Sequence, residues 1–239
     1  MLSKTEKLQA DFADLVDQLE AGSEQLASST LVEINNLSQG LEAGLHSLTS
    51  QIDNSYETLP DQRRIFTPEL EALRQLERDN ELNSDSLLGK VTLSESGHVI
   101  KATLEDLRLK NIKALAAFTS LTELYLHNNQ ITDLAPLSKL TSLTTLSLDS
   151  NQITDLTPLK NLSGLTELWL DDNQITDLTP LADLASLTLV GLEDNQISDL
   201  SPIKDIANFA CLSIRLNPLS KSSKQLIETL KARGVEVTE

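Results

Sequence analysis

The sequence predicts an α/β protein in which a solenoid of parallel strands follows an α-helical N-terminal region. The stretch NNQITDLAPL begins at Asn128, and close copies begin at Ser150, Asp172 and Asp194, each 22 residues after the one before. A fixed period of this size is typical of solenoids, in which every copy forms one turn. The N-terminal region differs, because no proline precedes Pro60 and its apolar residues recur at helical spacing.

Residues 1–60 are predicted to form long helices. One heptad pattern contains Leu8, Phe12, Leu15, Leu19 and Leu26, and a second contains Ile34, Leu41, Leu45, Leu48 and Ile52. The patterns fit either a helical hairpin folded on itself or a coiled coil with another chain, which would make residues 1–60 a homo-oligomer interface. Residues 61–90 are expected to hold a short helix that begins at Thr67-Pro68, followed by a linker over residues 80–90.

Residues 91–216 are predicted to form the solenoid. The template of each unit is LxxLxLxxNxIxDLxPLxxLxx, and full units begin at Leu121, Leu143, Leu165 and Leu187. The LxLxx alternation predicts a short strand, and stacked strands together bury the apolar face that one strand cannot bury alone. The asparagine is expected to bond to backbone inside the turn. The hydroxyl residue before each proline is expected to N-cap a 3₁₀ or short helical turn on the convex side.

Both ends of the solenoid are predicted to be capped. The stretch VTLSESGHVI, from Val91, predicts a hairpin that turns around Ser94–Gly97. Residues 217–239 predict a C-terminal cap made of a helix from Ser220, a C-cap glycine at Gly234 and a short final strand. Such caps are needed because an uncovered end repeat would present apolar surface to water.

The units resemble bacterial leucine-rich repeats of the internalin type, whose units also read LTxLxLxxNQITDLxPLxxL. The resemblance covers residues 91–239 and implies a leucine-rich-repeat solenoid, with a parallel sheet on its concave face and 3₁₀ or short helical turns on its convex face. It also implies a protein partner, without indicating which one, because the family binds many unrelated partners. Residues 1–90 resemble no family that we recognise.

The exposed positions of the strands form the candidate partner-binding surface. Trp169, the only tryptophan, and Tyr125 fall in one predicted column, about 10 Å apart at the usual strand spacing. Exposed aromatic side chains flanked by charges are typical of binding hot spots, although they could simply cover the sheet. Asp149, Asp171, Asp172, Glu193 and Asp194 form an acidic strip beside them. This strip could equally be a charged face that only contacts solvent. The complete candidate set is Tyr125, His127, Asp149, Glu167, Trp169, Asp171, Asp172, Glu193, Asp194 and Arg215.

Charge and motif content exclude several classes of partner and ligand. The chain has 36 acidic and 19 basic residues, a net charge of −17, which opposes nucleic acid and favours a protein partner with a basic patch. No cofactor or metal is expected, because the chain lacks a P-loop, a dinucleotide fingerprint and zinc spacing. The aspartates at 133, 155, 177 and 199 are predicted to cap backbone amides of their own turns rather than hold Ca²⁺.

We do not expect an enzyme. Cys211, the only cysteine, has no basic activator near it in sequence, and His127 and Asp149 have no evident nucleophile beside them. The N-terminus lacks the apolar core of a signal peptide and no apolar run reaches the length of a membrane span, so a cytoplasmic location is expected, with a dedicated secretion machine left open.

Two main functional hypotheses follow. In the first, the protein is a non-enzymatic module that binds a partner on the concave face. In the second, it is a structural protein that assembles through its N-terminal helices. A catalytic function within residues 1–90 is a third, for which that segment offers no cysteine.

Overall fold

The computed structural model describes residues 61–239 and, before them, residues 36, 39–41, 43–45, 47 and 55–59. Residues 36, 39–41, 43–45 and 47 are helical. The choice between hairpin and coiled coil for residues 1–60 lies outside the described residues. The chain divides into two units, Met1–Glu57 and Thr58–Glu239. The solenoid and the candidate site belong to the second unit.

Two short strands and a helix precede the solenoid. Strand β1 spans Tyr56–Thr58, β2 spans Arg64–Phe66 and helix α1 spans Thr67–Asp79. Pro68 lies in the first turn of α1, where a missing N–H breaks no helical hydrogen bond. The helix buries the apolar face formed by Leu70, Leu73 and Leu76.

Residues 80–90, which the composition predicts to be a linker, are folded onto α1. The buried carboxylate of Glu77 accepts hydrogen bonds from the N–H groups of Asp85 and Leu87, at 2.9 and 2.8 Å, and from the Ser86 hydroxyl at 3.3 Å. Leu87 is fully buried. One carboxylate on α1 therefore organises a polar segment that has few apolar residues of its own.

Helix α1 also closes the first, imperfect repeat, in which Leu107 stands where later repeats have asparagine. Asn80, directly after the helix, accepts hydrogen bonds from the N–H groups of Lys110 (2.8 Å) and Asn111 (3.1 Å). Its amide donates to the carbonyls of Leu76 and Asn111. An asparagine from the cap thus satisfies backbone groups of the end repeat.

The repeats form one eight-stranded sheet in the order β10-β9-β8-β7-β6-β5-β4-β3. Strands β3 and β4 pair antiparallel as a hairpin whose Gly97 N–H donates to the Ser94 carbonyl, and every later pair is parallel. The strands are β3 Val91–Leu93, β4 Val99–Thr103, β5 Glu123–Tyr125, β6 Thr145–Ser147, β7 Glu167–Trp169, β8 Leu189–Gly191, β9 Cys211–Ser213 and β10 Glu236–Thr238.

The repeated asparagine bonds to backbone, as predicted. In Asn151 the amide donates to the carbonyls of Leu126 (3.0 Å) and Leu148 (2.9 Å), while its oxygen accepts the N–H of Ile131 at 3.0 Å. The equivalent asparagines at 129, 173, 195 and 217 bond in the same way. Each amide therefore joins its own turn to the preceding one, inside an apolar core that excludes water.

The convex turns are 3₁₀, and their caps are the aspartates. In the turn Thr157–Leu159 the N–H of Thr157 donates to the Asp155 carboxylate at 2.8 Å. The Thr157 side chain, and then this N–H, lower the Asp155 pKa. The same bond occurs at Asp133, Asp177 and Asp199. The prediction of aspartate caps is confirmed. The prediction of a hydroxyl N-cap is wrong, because Thr157 lies inside the turn and the N-cap residue is Leu156.

The C-terminal end is covered by helix α2, Lys221–Ala232, and strand β10. The Ser220 hydroxyl accepts the N–H of Ser223 at 3.2 Å, which caps the helix. The buried Ser223 hydroxyl in turn donates to the Ser198 carbonyl and accepts the Leu200 N–H. Within the part of the chain that the structure describes, no helix has the length and apolar character needed to cross a bilayer.

Candidate functional site

The exposed face of the sheet presents its side chains in aligned columns, with one residue from each strand. In the central column Tyr125 pairs with Ser147, Ser147 with Trp169, and Trp169 with Gly191. The predicted alignment of these residues is confirmed. Large and small side chains alternate along this column, and Ser147, between the two aromatic residues, is buried. The sheet therefore presents Tyr125 and Trp169 on strands separated by only one other.

Tyr125 is held in a network within the protein. Its hydroxyl donates to the Glu123 carboxylate at 3.0 Å, and Lys101 Nζ lies 2.7 Å from the same oxygen and 4.8 Å from the centre of the Tyr125 ring. The bond from Lys101 lowers the Glu123 pKa, whereas burial and then the bond to Glu123 raise the Tyr125 pKa. Tyr125 therefore already has a cation on its ring.

Lys101 and Glu123 were not among the predicted site residues. The register that aligns the repeats places Lys101 directly beside Glu123, and Glu123 is two residues before Tyr125 on the same face. A lysine, a glutamate and a tyrosine at these spacings are thus a sequence signal for the network, once the strands are aligned.

The Trp169 indole and the Asp171 carboxylate both lie over Gly191. A Cβ atom added to Gly191 would stand 2.8 Å from Cε3 of the indole and 2.5 Å from an Asp171 carboxylate oxygen. Both side chains therefore occupy the space that any other residue at 191 would need. A glycine inside a strand often marks such a close approach, so Gly191 is a signal that the sequence analysis did not use.

The acidic strip is a row of carboxylates joined to the backbone. The Asp149 carboxylate accepts the N–H of Asp171 at 3.0 Å, and the Asp171 carboxylate accepts the N–H of Glu193 at 2.6 Å. Hydroxyl groups fix both ends, since Ser147 donates to Asp149 at 2.8 Å and Ser213 donates to Glu193. Burial, and then the charge of Asp149, raise the Asp171 pKa to about 6, against the effect of the Glu193 N–H.

Asp172 and Asp194 are exposed, as a binding role requires. Their backbone conformation is a second reason for finding aspartate at these positions. Their φ angles are 52° and 48°, in the left-handed region, and Asn128 and Ser150 at the equivalent position have φ angles of 56° and 52°. Asparagine and aspartate tolerate this region better than most residues. The last member, Leu216, is also left-handed and is 71% exposed. The candidate Arg215 precedes it and is exposed.

His127 lies near a hydroxyl that the sequence analysis did not identify. The Ser147 oxygen is 3.4 Å from His127 Nδ1 and donates to Asp149 at 2.8 Å. The serine therefore lies between the histidine and the aspartate, whereas nucleophilic catalysis places the histidine between the other two. Ser147 is also buried. Among the described residues, no cluster of three or more histidine, cysteine, aspartate or glutamate side chains could hold a metal ion.

Comparison with known proteins places the repeats in a family. The family model described as leucine-rich repeats in two copies matches residues 119–161 and 163–208. No curated protein matches the chain significantly. The repeat region is therefore a leucine-rich-repeat solenoid, and its repeats are similar to those of a bacterial internalin.

Solved structures share this fold. An internalin from Listeria monocytogenes superposes with a TM-score of 0.54 at 27% identity, over 70% of this chain and 47% of that chain. A leucine-rich-repeat protein from Leptospira interrogans gives a TM-score of 0.55 at 28% identity, over 59% of this chain and 37% of that chain. The match thus spans less than half the length of either protein. A plant receptor kinase ectodomain from Arabidopsis thaliana, solved in complex with CASPARIAN STRIP INTEGRITY FACTOR 2, has a TM-score of 0.56 at 23% identity, over 72% of this chain and 23% of that chain.

Proposed function

We propose that this protein is a non-enzymatic interaction module that binds a partner protein on the concave face of its repeats. The observation that carries the proposal is the placement of Trp169. The only tryptophan of the chain lies on the outward face of the sheet, although the repeat requires no aromatic residue there. Tryptophan is enriched at the energetic centre of protein interfaces.

The surroundings of Trp169 support a partner that presents basic residues. Asp149, Asp171 and Glu193 form a row beside the central column, and Glu167 lies on the same strand as Trp169. Opposite charges across an interface accelerate association and select among partners. In this proposal Trp169 is the anchor, and His127, Asp172, Asp194 and Arg215 lie at the rim. Tyr125 has a lesser role, because Lys101 and Glu123 already engage it.

Affinity capture tests the proposal, with purified wild-type protein, Trp169→Ala and the control Lys160→Ala as baits. Lys160 is exposed in a convex turn, so its replacement leaves the concave face intact. All three baits must first show equal melting temperatures. We expect a protein that wild type and Lys160→Ala capture and Trp169→Ala does not, and that binds saturably once purified. Capture of the same proteins by all three baits, or only of further copies of the chain, would refute the concave site and favour assembly through the N-terminal region.

A further inference from the structure

The network around Tyr125 is a complete cation site that the protein fills itself. It consists of an aromatic ring, a carboxylate two residues earlier on the same strand, and a lysine from the neighbouring strand. The Lys101 ammonium lies 4.8 Å from the ring centre and 2.7 Å from Glu123. The structure therefore shows that this arrangement of residues binds a lysine side chain, with its ammonium group over the ring and against the carboxylate.

The same arrangement occurs two repeats later, without the lysine. Glu167 and Trp169 occupy the positions on β7 that Glu123 and Tyr125 occupy on β5. The residue paired with Glu167 on the preceding strand, where Lys101 pairs with Glu123, is Thr145. Across residues 61–239, all of which the structure describes, no lysine or arginine lies over the Trp169 ring.

We infer that Trp169, Glu167 and Asp171 form a docking site for one lysine or arginine side chain of the partner, which takes the place that Lys101 fills at Tyr125. The inference rests on the proposed function and adds the chemistry of the recognised group. The carboxylates of Glu167 and Asp171 neutralise the cation, and the indole accepts it on its face.

Four features favour a cation here. Tryptophan binds cations on its face more strongly than tyrosine does. The indole is held in place, because it lies over Gly191 beside the Asp171 carboxylate. The Asp171 carboxylate beside the indole accepts one backbone N–H, from Glu193, and lies next to the Asp149 carboxylate, so negative charge is concentrated at the ring. Glu167, two residues before Trp169 on the same face of β7, supplies a second carboxylate, as Glu123 does beside Tyr125.

The first experiment uses Trp169 as its own reporter, because the intrinsic tryptophan fluorescence of the chain comes from this residue alone. Wild-type protein is titrated with three blocked tripeptides, glycyl-arginyl-glycine, glycyl-lysyl-glycine and glycyl-norleucyl-glycine. We expect saturable changes with the arginine and lysine peptides and an affinity for the norleucine peptide at least about fivefold weaker. Added salt should weaken the first two. Equal response to all three peptides, or none to the cationic ones, overturns the inference.

A pair of variants tests the position of the site. Thr145→Lys supplies the missing lysine from the same chain, and Thr145→Gln is the neutral control of similar length. After both show wild-type melting temperatures, we expect Thr145→Lys to lose binding of the arginine peptide by about fivefold or more and Thr145→Gln to keep it. If Thr145→Lys binds the arginine peptide as wild type does, the cation site is not at Trp169.

Tests on the captured partner separate this inference from the proposed function. If Trp169→Ala loses the partner while Thr145→Lys keeps it, the concave-face function stands and cation docking fails. If Trp169→Ala and Thr145→Lys lose the partner and Thr145→Gln keeps it, the concave-face function and the cation-docking inference are both supported. If all three variants keep it, the proposed function fails as well.

Discussion

The indole of Trp169 lies directly over Gly191, the residue opposite it on the next strand, so closely that a methyl group at 191 would stand 2.8 Å from the ring. The position of the tryptophan therefore depends on a residue with no side chain. This pairing fixes the ring against the sheet and holds it beside the acidic row.

Gly191→Ala should displace the indole and the Asp171 carboxylate. Overpacking of this kind destabilises by about 1 to 3 kcal/mol, and the Trp169 emission should shift as its surroundings change. Chemical denaturation and fluorescence measure the two effects. Gly89→Ala is the control, since nothing lies within 4 Å of its added Cβ. Wild-type stability and emission in Gly191→Ala would show that the ring does not occupy this position.

Asn173→Ala should be strongly destabilising. The Asn173 oxygen accepts the N–H of Ile153, and its amide donates to the carbonyls of Leu148 and Leu170. Loss of the side chain leaves these buried groups without partners, at a cost of about 2 to 4 kcal/mol of unfolding free energy. Urea denaturation measures it. Asn161→Ala, at an exposed asparagine of the preceding repeat, should stay within about 0.5 kcal/mol of wild type.

Asp171→Asn should gain stability relative to wild type as the pH rises. The folded-state pKa of Asp171 is raised to about 6 from 3.8. The contribution of this carboxyl group to folding stability is therefore complete below the unfolded pKa and is lost from the wild type as the pH rises through about 6. After allowance for partial solvent screening, the difference between variant and wild type should grow by about 1 kcal/mol between pH 4 and pH 7.

Denaturation midpoints across this pH range test the titration of Asp171. Asp172→Asn is the matched control, because it removes the same charge from the adjacent exposed position. A pH-independent difference between Asp171→Asn and wild type would contradict the raised pKa.

Glu77→Ala should release residues 80–90 from α1. The variant loses the acceptor for the N–H groups of Asp85 and Leu87, and we expect a loss of about 2 to 4 kcal/mol with faster proteolytic cleavage in this segment. Glu71→Ala, on the exposed face of α1, removes only a surface ion pair with Arg74 and should cost less than about 1 kcal/mol. Equal cleavage rates in the two variants would indicate that Glu77 does not hold the segment.

The period and the alternation in the sequence were sufficient to predict the solenoid, the asparagine contacts and the alignment of Tyr125 with Trp169. Because these features recur in every repeat, each copy gives independent support for the same structural assignment. The aspartate caps were predictable for the same reason. The hydroxyl caps were predicted wrongly, because a serine or threonine before proline fits two positions that differ by one residue. The turn is capped instead by Asp155, which accepts the N–H of Thr157 itself.

Contacts that occur once were not predictable from the pattern. The folding of residues 80–90 depends on the single buried carboxylate of Glu77. The register indicates that Lys101 lies beside Glu123, but the placement of its ammonium over the Tyr125 ring depends on the direction of a long side chain. The left-handed φ at Asp172 cannot be read from one residue, although the recurrence of asparagine, serine and aspartate at that position indicates it.

The central claim, that Trp169 anchors a partner on the concave face, is tested most directly by the affinity of the purified partner for wild type, Trp169→Ala and Lys160→Ala, measured calorimetrically at equal thermal stability. We predict that Trp169→Ala weakens binding by about thirtyfold or more, the usual effect of losing an anchor of this kind, and that Lys160→Ala leaves it unchanged. Equal affinities for wild type and Trp169→Ala would contradict the claim.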